Sequence, residues 1–248
     1  MPVFEHGSAT LSYQVRGSGH PLLLLAPGGM RSAAMIWAQQ PGKPRPPWIN
    51  PLDDLSDRFQ VIGMDQRNAG SSFAPITGDD GWHVYLEDQL GLMDHLGHER
   101  FHVMGGCIGC SYALGLCQMA PDRVTAAVLQ NPIGFSEGNR PKFHAMFDEW
   151  VGEMRSTHTE VDDAAVAAFR ERMFGGDFVF TVDRDFVGSC TTPLLVLPGD
   201  DDFHPRAVAD EIVALSPDAV LISPWGGDEH RDNTLRRVAD FLVAHTPG

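Results

Sequence analysis

Residues 22–26 form an unbroken apolar run that stops at Pro27-Gly28-Gly29. A continuous apolar strand implies cover on both faces, as in a buried parallel sheet. Residues 2–16 instead alternate apolar and polar side chains around Gly7, which predicts two antiparallel strands. The buried-strand pattern recurs at 59–64, 101–105, 124–130, 193–198 and 219–223. Between these runs, 82–96 sets Val84, Leu86, Leu90, Met93 and Leu96 at helical spacing. Residues 107–119 continue as a helix, and 206–215 and 230–244 are amphipathic. Strands alternating with helices predict the α/β class: a mostly parallel central sheet of about eight strands with helices on both faces.

Residues 132–190 interrupt that rhythm with helices expected near 140–154 and 162–174, rich in aromatic and Met side chains. This segment is expected to form a small helical cap over the site, leaving 1–131 and 191–248 as the core. The alternative is a second packing layer. Phe143, Phe147 and Trp150 of the insertion, together with His204, are the expected pocket residues. A proline-rich stretch (Pro41, Pro44, Pro46, Pro47 and Pro51, with Trp48) cannot be helical and predicts a surface loop.

The chain has 248 residues, enough for one large α/β domain. Its net charge of −15 argues against nucleic acid and anionic membranes as partners and leaves a small molecule as the expected one. No run reaches the roughly 18–20 apolar residues of a membrane span. The N-terminus lacks the basic and apolar regions of a secretion signal. Of four cysteines, three crowd into 107–117, unlike a disulfide framework, so a reducing, cytoplasmic setting is expected. The histidines lack paired ligand spacing and no second cysteine pair accompanies Cys107 and Cys110, so no metal or cofactor is expected. A homodimer is compatible with this reading.

The chemistry concentrates at Gly105-Gly-Cys107-Ile-Gly109, between a predicted strand and a predicted helix. A sharp strand–turn–helix projects the side chain at its apex and demands very small neighbours, while the helix N-terminus favours negative charge there. A thiol so placed leans toward thiolate. Two other readings compete: a buried, inert cysteine, and redox exchange through Cys107-Ile-Gly-Cys110. Neither accounts for the acidic and histidine segments farther along.

Five segments in this order resemble the α/β-hydrolase family: 24–29, 64–72, 86–107, 197–205 and 226–230. The resemblance implies a triad of nucleophile, acid and histidine, here Cys107, then Asp201 or Asp202, then His230 as general base. Counting from Gly199 selects Asp202, and counting back from Pro205 selects Asp201, with Asp201 preferred. His204 competes with His230 for the base. An oxyanion hole is expected from the backbone N–H groups of Ile108 and of Gly29 or Met30, while Asp65, Arg67 and Gly70 match a structural turn of the family. The implied activity is hydrolysis of an ester, thioester or lactone of a small-to-medium apolar or aromatic substrate, through an acyl-cysteine. An acyltransferase, a C–C bond hydrolase and a non-catalytic binding protein are the alternatives. Cysteine at this elbow also resembles dienelactone hydrolases locally, but Cys110 departs from their pattern.

Overall fold

A computed structural model describes residues 1–38, 42 and 45–248. Pro41 and Pro44 of the expected proline-rich loop lie outside the described residues.

The elements alternate as the periodicity implies: β1 (Val3–His6), β2 (Ala9–Arg16), β3 (Pro21–Leu25), α1 (Pro51–Asp54), β4 (Gln60–Met64), α2 (Trp82–His95), β5 (Phe101–Gly106), α3 (Ile108–Met119) and β6 (Val124–Gln130). After them come α4 (Arg140–Met154), α5 (Asp163–Phe174), α6 (Arg184–Ser189), β7 (Leu194–Leu197), α7 (Arg206–Leu215), β8 (Ala219–Leu221) and α8 (Asp228–Ala244). The eight strands lie in the order β1-β2-β4-β3-β5-β6-β7-β8. β1 and β2 are antiparallel to each other, β2 is antiparallel to β4, and the remaining pairs are parallel.

Each central strand feeds two cores, because successive side chains leave opposite faces. Leu23, Leu25 and Val103 join a core with α2, α3, α7 and the inserted helices. Leu22, Leu24 and Met104 join the other, under α1, α8 and Trp37. Helices therefore cover both faces.

One local expectation is corrected. Pro51 does not continue a loop; it opens α1, with the Asn50 side chain accepting from Leu52 N at 3.2 Å. Proline is tolerated at a helix's first position because the N–H it lacks would be unbonded there anyway.

Candidate active site

β5 delivers Cys107 to the sheet's carboxyl edge, and α3 begins at the next residue. Cys107 adopts φ 56° and ψ −119°, a left-handed backbone that side chains other than glycine seldom take. Its N–H donates to Gln130 O at 2.9 Å and its carbonyl accepts from Cys110 N at 3.0 Å, so both flanks hold the bend. A Cβ at Gly109 would collide with the Leu25 carbonyl, and one at Gly105 with the Gly109 carbonyl. These glycines let α3 ride directly on β3 and β5. That is the elbow geometry.

The turn after β7 supplies the partners. Asp201 Oδ1 accepts from Phe203 N and His204 N, both at 2.9 Å. The His204 ring places Nδ1 at 2.8 and 2.9 Å from the two Asp201 carboxylate oxygens. A side chain at Gly199 would meet His204 Cβ, so the glycine makes room for the ring. His204 Nε2 is buried without a hydrogen-bond partner among the described residues, and the ring lines the same pocket as Cys107, near enough for each group to shift the other's ionisation.

Charge follows from that arrangement. Burial pushes the Cys107 thiol up, but His204 and the backbone N–H groups of Gly28 and Ile108 outweigh it, so the thiol ionises below its ordinary range. Burial likewise pulls the His204 imidazole down, yet Cys107 and Asp201 raise it to about 9. Partial desolvation pushes Asp201 up, and its bonds to His204 and Phe203 hold it below the usual carboxylate range. The three groups together favour a thiolate beside an imidazolium.

Above Cys107 lies a pocket of about 180 Å³, lined by Gly28, Gly29, Ile108, Ile133, Phe143, Met146, Phe203 and His204. Its wall is apolar except for the His204 ring and the backbone N–H groups near the sulfur.

Several of the expected site residues stand elsewhere. His230 does not line this pocket: it opens α8 about one-third exposed, with Nε2 3.3 Å from Glu229 Oε1. The cause is the anchoring of its turn elsewhere. Gly227 N donates to Pro47 O at 2.9 Å, and Arg231 Nη1 donates to Trp48 O at 2.7 Å. Asp202 is an exposed partner of Lys142 on α4, and its carbonyl accepts from Asn139 Nδ2 at 3.0 Å. Met30 is buried away from the lining, Gly29 reaches the pocket, and Gly28 is the loop residue whose N–H serves the sulfur.

Phe143 lines the pocket, but Phe147 and Trp150 do not. They pack with Phe169 inside the insertion, and Trp150 Nε1 donates to Asn68 O at 3.3 Å. Cys110 turns its S–H to the carbonyls of Gly105 and Gln130, both at 3.2 Å, and so points into the sheet rather than toward the pocket. Ile133, Met146 and Phe203 were missed, being single apolar residues with no motif. Among the described residues, no cluster of three metal-ligating side chains occurs, and no helix is long and apolar enough to cross a membrane.

The sequence profile described as alpha/beta hydrolase fold matches residues 21–202. "Putative carbamate hydrolase RutD" of Azorhizobium caulinodans is 31% identical over 138 residues, covering 56% of this chain and 47% of that one. The chain thus spans about half the length of that relative. The protein of the same name from Caulobacter sp. strain K31 is 26% identical over 211 residues, covering 73% of this chain and 78% of its own. The enol-lactonase from Burkholderia xenovorans LB400 superposes with a TM-score of 0.67 at 21% identity, over 98% of this chain and 100% of that one.

Proposed function

The chain belongs to the alpha/beta hydrolase fold family, and from that premise we propose that it is a cofactor-free hydrolase working through an acyl-Cys107 intermediate. The observation that carries the reading is a strained elbow cysteine facing His204, which is itself held by Asp201, under an apolar pocket.

The Cys107 sulfur attacks the substrate carbonyl carbon, and the electron pair displaced onto oxygen is met by the N–H groups of Gly28 and Ile108. As the tetrahedral species collapses, His204 Nε2 gives its proton to the leaving group. Neutral Nε2 next takes a proton from water, whose oxygen attacks the acyl carbon and frees the thiolate. Asp201 keeps Nδ1–H engaged and steadies the imidazolium throughout. The helices of 132–190 act as a cap, contributing Phe143 and Met146 to the acyl pocket.

The substrate class is an ester, thioester or lactone with a small apolar acyl part. The pocket size and its lack of side-chain donors other than His204 support this choice. A carbamate, the group in the name of the RutD relatives, offers the same carbonyl but places a heavier demand on His204 to protonate an amine.

Incubation with p-nitrophenyl acetate, followed by intact mass, should reveal a transient adduct of about 42 Da (one acetyl group) on Cys107. Cys107→Ala should lose both adduct and turnover. Undiminished turnover in Cys107→Ala overturns the proposal.

A further inference from the structure

Two turns frame the Cys107 pocket: the one after β3, with Gly28 and Gly29, and the one after β7, with Phe203 and His204. α4 bridges them. At its start, Asn139 Nδ2 donates to Asp202 O at 3.0 Å and Lys142 pairs with the Asp202 carboxylate. At its far end, Glu153 accepts from Arg31 Nε at 2.9 Å and from Arg31 Nη2 at 2.8 Å. Bonds at both ends fix the α4 backbone beside the pocket, so the room inside is set by the side chains that α4 sends there, Phe143 and Met146.

These two are held very differently. Phe143 is 1% exposed and packs against Phe174, Phe180 and Phe203, at ring distances of 5.5, 4.7 and 5.2 Å. Ile108 and Ile133 of the same wall are also buried. Met146 is half-buried, and its thioether lies against Gly29, where a Cβ would collide with Sδ. Gly29 adjoins Gly28, whose N–H serves the sulfur. An unbranched side chain on a fixed backbone fills such a gap without being locked in it.

We propose that Met146 is the specificity-determining residue that limits the length of the acyl group Cys107 accepts. The inference rests on the acyl-Cys107 reading. With the carbonyl oxygen at the N–H groups of Gly28 and Ile108, the acyl chain follows the apolar wall and ends against Met146. Met146→Ala removes Cγ, Sδ and Cε and makes room for about three more chain atoms, each buried methylene being worth roughly fourfold.

The test compares kcat/KM for p-nitrophenyl acetate, butyrate, hexanoate and octanoate. Wild type should favour the shorter esters, and Met146→Ala should raise the octanoate-to-acetate ratio at least tenfold or so. Met146→Phe puts a stiffer, larger group in the same place and should lower that ratio. The two variants push in opposite directions, so either one decides the matter if the other misfolds. Met154→Ala, on the same helix but outside the pocket lining, should leave the ratio as it is. A second series holds the acetyl group constant and varies the alcohol, with phenyl and ethyl acetate. An unmoved octanoate-to-acetate ratio in Met146→Ala overturns the inference, and so does a change confined to the alcohol series. Cys107→Ala on the same esters separates the two readings. Turnover that survives it refutes the acyl-cysteine itself, whereas Cys107-dependent turnover with an unmoved ratio refutes the role of Met146 alone.

Discussion

Replacing His204 with alanine should remove activity, whereas His230→Ala should leave it nearly intact. The ring of His204 is raised from 6.5 to about 9 despite its burial, which at about 1.4 kcal/mol per unit amounts to about 3 kcal/mol favouring the charged ring. Cys107 and Asp201 are what supply that preference. Without the ring, burial pushes the thiol up and only the N–H groups of Gly28 and Ile108 oppose it. The thiolate fraction at neutral pH then falls, and lost proton transfer to the leaving group costs a further 10²–10⁴-fold or so. A decrease in kcat/KM of roughly 10³-fold or more is expected. The pH profile carries a second signature. A raised imidazole keeps its proton until the pH passes about 9, so the alkaline limb of kcat/KM should fall there. The thiol, being lowered, is ionised below its ordinary pKa, and activity drops only as the pH falls through that lowered value. Alkylation of Cys107 by iodoacetamide as a function of pH isolates the thiol, and p-nitrophenyl acetate turnover reads both limbs. Wild-type turnover in His204→Ala, or lost turnover in His230→Ala, would refute the reasoning.

Asp201→Asn should slow turnover by on the order of 10²-fold and move the alkaline limb below 9, because the neutral amide no longer favours the imidazolium. Asp202→Asn breaks only an exposed pair with Lys142 and should leave both unchanged. Gly109→Ala should destabilise the fold by about 3 kcal/mol, read by urea unfolding, since the new methyl meets the backbone carbonyl of Leu25, which has no rotamer to yield. His102 predicts acid sensitivity. Burial, then the nearby His20, lower it to about 3, with Thr125 Oγ1 at 2.7 Å and Thr246 Oγ1 at 3.0 Å from its ring nitrogens. A lowered imidazole stabilises the fold above the unfolded value of 6.5 and loses that contribution as the pH falls toward 3. Unfolding at pH 5 should therefore cost about 2 kcal/mol less than at pH 7 on this account, and His102→Gln should shrink the difference.

β6 was legible residue for residue, because all of Val124–Gln130 is buried and Arg123 and Asn131 bracket it. α1 and α6 were not, since four and six residues are too few to display a helical period. Their marks were the capping side chains of Asn50 and Asp183 and, in α1, the proline at its first position. The elbow was readable for a local reason: Gly105 and Gly109 answer steric demands set within a few residues. Which histidine shares the Cys107 pocket was not, because the choice between His204 and His230 depends on which of two distant turns reaches Cys107. A signal did exist in the spacing of Gly199, Asp201 and His204, which closes into one hydrogen-bonded turn. On α4, Phe143, Phe147 and Trp150 are all buried, but only Phe143 of these expected pocket residues lines the pocket. The aromatic pattern could not tell the pocket wall from the core, because one helical face spans both.

The proposed assignment holds acid and base on a single turn, and that changes what the last helix must do. When the histidine is carried by the segment after the final strand, its aim depends on how that helix packs. Here the His204 ring is aimed by bonds to one Asp201 carboxylate, three residues away in the same loop. α8 has no side chain at the reacting centre, and its first turn can serve residues 46–48 through Arg231. A substitution at Arg231 that loosens this turn should therefore leave the alkaline limb near 9 unmoved, because the groups that set it lie at the ends of β5 and β7.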